Sequence, residues 1–315
     1  MKIISAEEVH QALSYPALVD SLQDAFSKPF NMPPRQVFLL DDQPDNHDAF
    51  ALLPSWHDGL IAVKAFTYFP ENSTPYKSLY SKILLFDRAH GEPLALVDGT
   101  SVTFWRTAGI SGLATRLLAR EDSETLLVLG TGNLSTYIIR ANVSVRPIKK
   151  VLVWGRSADK AAAVVQQMNG ELDGVACEVA TDLQAACGQA DIVVAATASH
   201  EPLVMGDWIK PGTHTDFIGN HHATKRECDS ALVVKSKVYA DSYVNLFKEG
   251  GEVLVPISEG VFSKEAVVGE LPEMCAGSCP LRESEGEVTL FKSIGMAYSD
   301  LVGAGLAYQA VVGQG

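Results

Sequence analysis

The run TLLVLGTGNLS, from Thr125 to Ser135, constrains this chain more than any other segment: an apolar strand enters a turn carrying Gly130 and Gly132 and leaves it as a helix. Glycine at the first position permits a tight bend. At the second it lets the backbone approach a pyrophosphate, whose charge is stabilised by the N-terminus of the following helix. The third position of the pattern is Ser135 rather than Gly or Ala, with Asn133 and Leu134 completing the turn. Because the turn begins only at Thr125, a body of other structure precedes it, and the chain is more than a nucleotide-binding domain.

At 315 residues the chain suits two domains, each able to bury its own core. A net charge of −13 argues against nucleic acid as a partner, since a phosphate backbone needs a basic face. Any anionic ligand must be met by a few local cations. No apolar run reaches the roughly 18 residues of a membrane span, and the opening MKIISAEEVHQAL has acidic residues where a signal peptide needs an apolar core. A cytoplasmic protein without membrane attachment is therefore expected. The five cysteines form no disulfide framework, and Cys275 and Cys279 have no second ligand pair at zinc-like spacing, so no metal is expected.

The apolar spacing predicts a helix over Ala6–Phe26, then short β-rich runs from Gln36 to Val97 (VFLL, FALLP, LIAVKAF, SKILLF, PLALV), then a long helix over Ser101–Ala119 rich in small residues. From Thr125 onward strand and helix signals alternate, with strands at TLLVLG, KKVLVWG, ACEVA, DIVVAAT, THTDFIG and KVYAD. Repeated βα units imply a doubly wound parallel sheet that binds ligands at the carboxyl ends of its strands. A last helix is expected over Ser293–Val312, returning to the first domain. The fold class is thus α/β: a Rossmann sheet over 120–292, inserted in a discontinuous α+β domain of 1–119 plus 293–315.

The second Rossmann strand bears on the cofactor. An NAD site usually carries Asp or Glu there to bind the ribose 2′-hydroxyl. Here the strand ends VLVWGRS, with Arg156 and Ser157 in that place, a guanidinium and a hydroxyl that suit a 2′-phosphate. NADPH is expected in preference to NADH.

Taken together, PPRQVF around Arg35, LIAVKAFTYFPEN around Lys64, VDGTSVTFWRTAG around Arg106, the GTGNLS turn and TLFKSIGMAYSDLVGAG near the end resemble the ornithine cyclodeaminase and mu-crystallin family over nearly the full length. The resemblance implies a homodimer formed through the first domain, with an active site between a substrate domain and a Rossmann domain. It implies that Arg35, Lys64 and Arg106 hold the substrate's α-carboxylate. Three cations embedded in apolar or small-residue segments of an acidic chain agree with that role, although each alone reads equally as a structural ion pair. By the same resemblance Arg106, Thr107, Thr197, Ile218, Gly219, Ser293 and Ile294 lie near the cofactor.

One departure narrows the expected reaction. Where the family's cyclodeaminases and alanine dehydrogenases have an Asp, in a segment like GADGPGKQELD, this chain has GNHHATKRECD, with His221 in that place and His222 beside it. Deamination needs a base to take the ammonium proton. Reduction of a protonated cyclic imine needs mainly orientation and a bound carboxylate. The expectation is therefore NADPH-dependent reduction of a cyclic ketimino acid, Δ1-pyrroline-2-carboxylate to L-proline or Δ1-piperideine-2-carboxylate to L-pipecolate. Lys64 and His221 are the candidate catalytic residues, and a loop histidine without chemistry is the other reading of His221. Cyclodeamination of ornithine, alanine dehydrogenation and simple NADPH binding without turnover remain alternatives.

Overall fold

The computed structural model describes residues 1–41 and 47–313, which form two compact units, Met1–Thr107 with Met296–Gly315 and Ala108–Gly295. The first unit opens with β1 (Lys2–Ile4), α1 (Ala6–Ala12) and α2 (Tyr15–Phe26), followed by β2 (Gln36–Leu39), β3 (Ala49–Trp56), β4 (Leu60–Tyr68), β5 (Leu79–Asp87) and β6 (Pro93–Asp98). These strands form a sheet in the order β1-β6-β5-β4-β3-β2, antiparallel except where β1 lies parallel to β6. Runs of alternating burial in β3 to β6 put one face of that sheet against the C-terminal helix. The five β-rich runs of the sequence are thus β2 to β6, whereas β1 carried no strand signal.

The helix expected over Ala6–Phe26 is in fact two. Leu13 and Ser14 are extended (φ −97°, ψ 141° and φ −130°, ψ 150°), and α2 starts afresh with Pro16 in its first turn. Proline has no N–H for the carbonyl one turn back and its ring collides with that carbonyl, so the break falls just ahead of it. Val9, Leu18, Val19, Leu22 and Phe26 remain buried, which is why the apolar spacing read through the break.

The helix α3 (Gly99–Leu118) follows β6, and the division between the units falls within it. The second unit continues with β7 (Thr125–Leu129), α4 (Ser135–Val143), β8 (Lys150–Trp154), α5 (Ala158–Glu171), β9 (Ala176–Val179), α6 (Leu183–Gln189), β10 (Ile192–Ala195) and β11 (His214–Phe217). It is completed by α7 (Ser230–Lys235), β12 (Lys237–Ala240), α8 (Tyr243–Glu249), α9 (Gly251–Ser258), β13 (Val267–Glu270), α10 (Leu271–Ala276) and β14 (Thr289–Lys292). The sheet is parallel throughout, in the order β13-β12-β14-β11-β10-β7-β8-β9. Its central strands are buried on both faces, as strands covered by helices on either side must be. The small residues of α3 serve a close approach to α4: Asn142 reaches across to accept from Thr115 Oγ1 at 2.6 Å.

The last helix, α11, spans Ala297–Gly313 and belongs to the first unit. It begins four residues later than the sequence pattern suggested, because Ser293–Gly295 form a turn in which Gly295 has φ 103°. The stretch before that turn, TLFK, is the strand β14 inserted between β11 and β12. A strand buried on both faces has no alternation, so this short apolar run carried no strand signal in the sequence.

Candidate active site

In the doubly wound sheet the strand order reverses beside β7, which has β8 on one side and β10 on the other. Ligands of open parallel sheets bind at such a switch point, outside the carboxyl ends of the strands. The GTGNLS turn stands there. Gly130 has φ +117°, and a Cβ on it would lie 2.6 Å from the carbonyl oxygen of Ala196, so both conformation and space demand glycine. Ser135 Oγ donates to the Gly130 carbonyl at 2.8 Å and closes the turn, a use that Gly or Ala could not supply. At Gly132 a Cβ would meet nothing within 4 Å. Packing therefore does not explain that glycine, whereas a ligand drawn close to the backbone does. Leu134, at the N-cap of α4, has no side-chain oxygen to occupy the first-turn N–H groups.

A cleft of about 340 Å³ opens from this turn, lined by Gly130, Gly132, Arg156, Ser157, Lys160 and Thr197 among others. Arg156 is exposed at its rim, and Ser157 caps α5 by accepting from Lys160 N at 3.4 Å. Lys160, which sequence reasoning missed, adds a second cation on the first turn of α5; the signal was its spacing, three residues after Ser157. No carboxylate is among the residues lining this cleft. The residues present fit a nicotinamide dinucleotide: N–H groups and glycines for the pyrophosphate, with cations and a hydroxyl elsewhere in the cleft. Asn133 is exposed on the turn, while Ser135, Ile218 and Ser293 are buried and Gly219 half-buried at the strand ends.

In the first unit, Lys64 on β4 and Arg106 on α3 converge on one buried carboxylate. Asp300, the one charged residue of α11, accepts at Oδ1 from Lys64 Nζ (3.0 Å) and Arg106 Nε (3.1 Å). Lys64 also donates to Thr103 Oγ1 at 2.5 Å, and Thr103 passes its proton to the Gly99 carbonyl. Lys64 is only 5% exposed, and burial lowers its pKa, partly opposed by the facing Asp300. The second Asp300 oxygen, Oδ2, is buried with no hydrogen-bond partner among the described residues. Arg106 gives Asp300 its Nε edge, so its paired terminal nitrogens are the side that can grip a carboxylate bidentately. Thr107 follows it on α3, half-buried.

Arg35 is exposed just ahead of β2. Gln36 pairs with Leu52 and Leu53 with Lys64, so one further step of the register sets Arg35 in the cross-strand row of Lys64, two strands away, about 10 Å. Asp300 was the residue that sequence reasoning missed in this group. An acid alone in an apolar helix was the available signal.

His221 is exposed on the loop after β11. Behind that loop lies a set of buried ionisable groups: Asp216, Glu227, Asp241, Glu252 and Lys292. Burial pushes the Asp216 carboxyl up to about 7, with Glu227 and Asp241 raising it further and Ser111 and Lys292 opposing. Burial likewise raises Glu227 and Asp241. Among the described residues no group of three or more His, Cys, Asp or Glu is placed to hold a metal ion, and no helix is long and apolar enough to cross a membrane.

A doubly wound parallel sheet with an uncapped helix N-terminus at its switch point defines a dinucleotide-binding protein of the Rossmann class. The family model of ornithine cyclodeaminase/mu-crystallin matches residues 1–315, and the chain belongs to that family. It is similar to the Delta(1)-pyrroline-2-carboxylate reductase of Colwellia psychrerythraea, 48% identical over 307 residues that cover 96% of this chain and 97% of that protein. The solved structure of Thermococcus litoralis Delta(1)-pyrroline-2-carboxylate reductase in complex with NADH and L-proline matches with a TM-score of 0.92 at 32% identity, covering 100% of this chain and 98% of that one. An archaeal alanine dehydrogenase dimer with bound NAD matches with a TM-score of 0.91 at 26% identity, covering 100% and 97%.

Two outcomes follow from this geometry. Gly132→Ala should leave the unfolding free energy within about 0.5 kcal/mol of the parent, yet weaken nicotinamide nucleotide binding roughly tenfold or more because the methyl group holds the pyrophosphate off the turn; denaturant titration and ligand fluorescence read the two effects separately. For Asp216, the folded protein keeps a proton that the unfolded chain loses above about 3.8, so this group's contribution to stability falls as pH rises from there to about 7. Asp216→Asn removes that dependence. Its stability gain over the parent should be larger near pH 8 than near pH 5, by on the order of 2 kcal/mol in urea unfolding.

Proposed function

We propose that the chain is a cytoplasmic, NADPH-preferring reductase of cyclic ketimino acids, converting Δ1-pyrroline-2-carboxylate to L-proline and also accepting Δ1-piperideine-2-carboxylate. The observation that carries this reading is the charge balance around Asp300. A buried lysine and a partly buried arginine share one carboxylate, which leaves the group net positive in a poorly solvated place. A substrate carboxylate restores neutrality there, with Lys64 and the terminal nitrogens of Arg106 as its partners and Arg35 in the same strand row as a third. The buried Asp300 Oδ2 is an acceptor of the kind a protonated imine N–H requires.

When bound, the nicotinamide supplies hydride to the imine carbon. The chain's own part is to fix the imino acid by its carboxylate and exclude other orientations. No base is needed to start the reaction, because the protonated C=N is already electrophilic. An imidazole suits proton exchange near neutral pH, and His221 takes that role. The reading is supported by the 48% identity to a protein named for this activity, and by His221 standing in place of a family carboxylate that deamination needs. Arg156, Ser157 and Lys160 in the cleft, with no acidic residue among them, support the phosphorylated cofactor.

The same reading includes a homodimer. The edge strand β2 exposes Val37, Phe38 and Leu39, with Leu40 following, and apolar side chains on an unpaired edge favour burial against another chain. Light scattering on the purified chain should give twice the monomer mass, and a monomer at micromolar concentration would count against this part of the proposal.

The decisive assay mixes the purified chain with Δ1-pyrroline-2-carboxylate and follows NADPH or NADH oxidation. Rapid turnover with NADPH, and kcat/KM at least about tenfold lower with NADH, is expected. Arg156→Ala should erase most of that preference by raising KM for NADPH alone. Lys64→Ala should lose about a hundredfold or more in kcat/KM for the imine. Ammonia release from ornithine with no net change in cofactor would instead make the chain a cyclodeaminase, and full imine reduction by the Lys64 variant would remove Lys64 from the site.

A further inference from the structure

Beyond the last ladder bonds of β10 and β11, the next backbone donors are the N–H groups of Thr197 and Gly219. Both go to the side chain of Glu227, at 2.6 Å to Oε1 and 2.8 Å to Oε2. Thr197 Oγ1 gives its proton to Oε1 as well, at 2.7 Å. One carboxylate thus gathers three donors from two strand ends. The strand ends are pressed together at that point: a Cβ on Gly219 would lie 1.9 Å from the Thr197 carbonyl oxygen. Since the Thr197 proton is committed to Glu227, its hydroxyl oxygen acts as an acceptor, taking Ser199 N at 3.2 Å.

Glu227 is itself held from behind. Glu252 Oε1 accepts from Glu227 N at 3.1 Å, and its Oε2 lies 2.8 Å from Lys292 Nζ, a contact of charge with charge rather than an aligned hydrogen bond. Lys292 also donates to the Asn220 carbonyl at 2.8 Å, and Asn220 Nδ2 donates to the Ser199 carbonyl at 2.6 Å. Glu252 and Lys292 have no exposed surface. The two loops, 196–199 and 218–221, are thereby closed into one ring around the buried side chains of Glu227, Glu252 and Lys292. Thr197 and Ser199 line the cleft that begins at Gly130.

Stability alone does not account for this arrangement. Buried ion pairs contribute little over well-packed apolar groups, and desolvating them costs several kcal/mol before any gain. What a carboxylate does that an apolar side chain cannot is fix the direction of several N–H groups at once. We infer that Glu227, backed by Glu252 and Lys292, is a positioning residue for the cofactor: it sets Thr197 in the wall of the cleft and, through Gly219, the start of the loop that carries His221. The inference rests on the nicotinamide nucleotide part of the proposed function and on no choice of imine substrate.

The test measures binding without turnover. NADPH and NADH are titrated against the purified full chain by fluorescence, for the parent, Glu227→Gln, Glu227→Asp and the double variant Glu252→Gln with Lys292→Met. A glutamine in place of Glu227 turns an NH2 toward at least one of the three donors, so its Kd should rise roughly tenfold or more. KM for the imine, read at saturating cofactor well below the thermal midpoint, should change less than about twofold, a split that general loosening of the fold would not produce. The aspartate should recover part of the affinity. The double variant, which keeps Glu227 but removes its support charge for charge, should lose affinity in the same direction. A folded Glu227→Gln that binds both nucleotides as the parent does overturns the inference; if that variant does not fold, an unchanged Kd in the double variant overturns it, and failure of both to fold makes the carboxylate a folding element and equally overturns it. A parent that binds NADPH yet reduces no cyclic imine sinks only the proposed function.

Discussion

Backbone donors at the carboxyl ends of parallel strands have no neighbouring strand to satisfy them, and how this chain meets that constraint governs what its larger sheet can bind. Two treatments occur along one edge. At β10, β11 and β14 the donors are taken by buried carboxylates: Glu227 receives Thr197 and Gly219, and Asp241 Oδ2 receives the N–H groups of Ile294 and Gly295 together with the Ser293 hydroxyl. At β7 the chain runs instead through the glycine turn into α4, whose N-cap residue offers no side-chain acceptor. The first treatment makes a rigid floor. The second leaves an anion-seeking helix end at one side of the switch point, of the kind that suits a pyrophosphate.

The first unit answers a different constraint with similar means. A lysine as buried as Lys64 must have a counter-ion, and Asp300 supplies it from the neighbouring helix while also holding Arg106. A full complement of two carboxylates would have made a neutral, inert ion-pair network of the kind found in many cores. One carboxylate for two cations leaves an unmet charge where the dielectric is low and Coulomb terms are large. Such a group is costly to build unless a ligand completes it, and the burial-driven fall in the Lys64 pKa is the same cost expressed in proton affinity.

How much of this was legible in the sequence depended on whether a residue's reason was local. Gly130 could be read because a positive φ and a tight turn are properties of a few adjacent residues. Arg156 and Ser157 could be read because they end a strand whose place in the fold follows from the βα repeat. Pro16 was overlooked although its effect is local, since the apolar spacing runs on across it at Leu13, Leu18 and Leu22. The strand β14 was not among the strands read from the sequence, because full burial on both faces erases the alternation that marks a strand. Asp300 and Lys292 showed in the sequence only as single charges in apolar runs, and the folded chain alone shows that Lys64 stands 3.0 Å from one and Glu252 2.8 Å from the other. Nothing local to Glu227 in GNHHATKRECD announces its contacts thirty residues back at Thr197.

A chain carrying a net charge of −13 repels anions at long range, yet both ligands of the proposed reaction are anionic. The resolution lies in distance. At physiological ionic strength charges in solvent are screened within about 8 Å, so the overall acidity acts weakly on a nucleotide already at the rim, while cations inside that range act fully. Arg156 and Lys160 stand exposed at the cleft, and the helix N-terminus of α4 needs no ionised group at all. In the first unit, Lys64 and Arg106 have little exposed surface, so screening is slight and an unshared positive charge is strongest. Selectivity for an anionic ligand in such a chain therefore comes from where a few cations are placed rather than from their number, because the chain as a whole carries net negative charge.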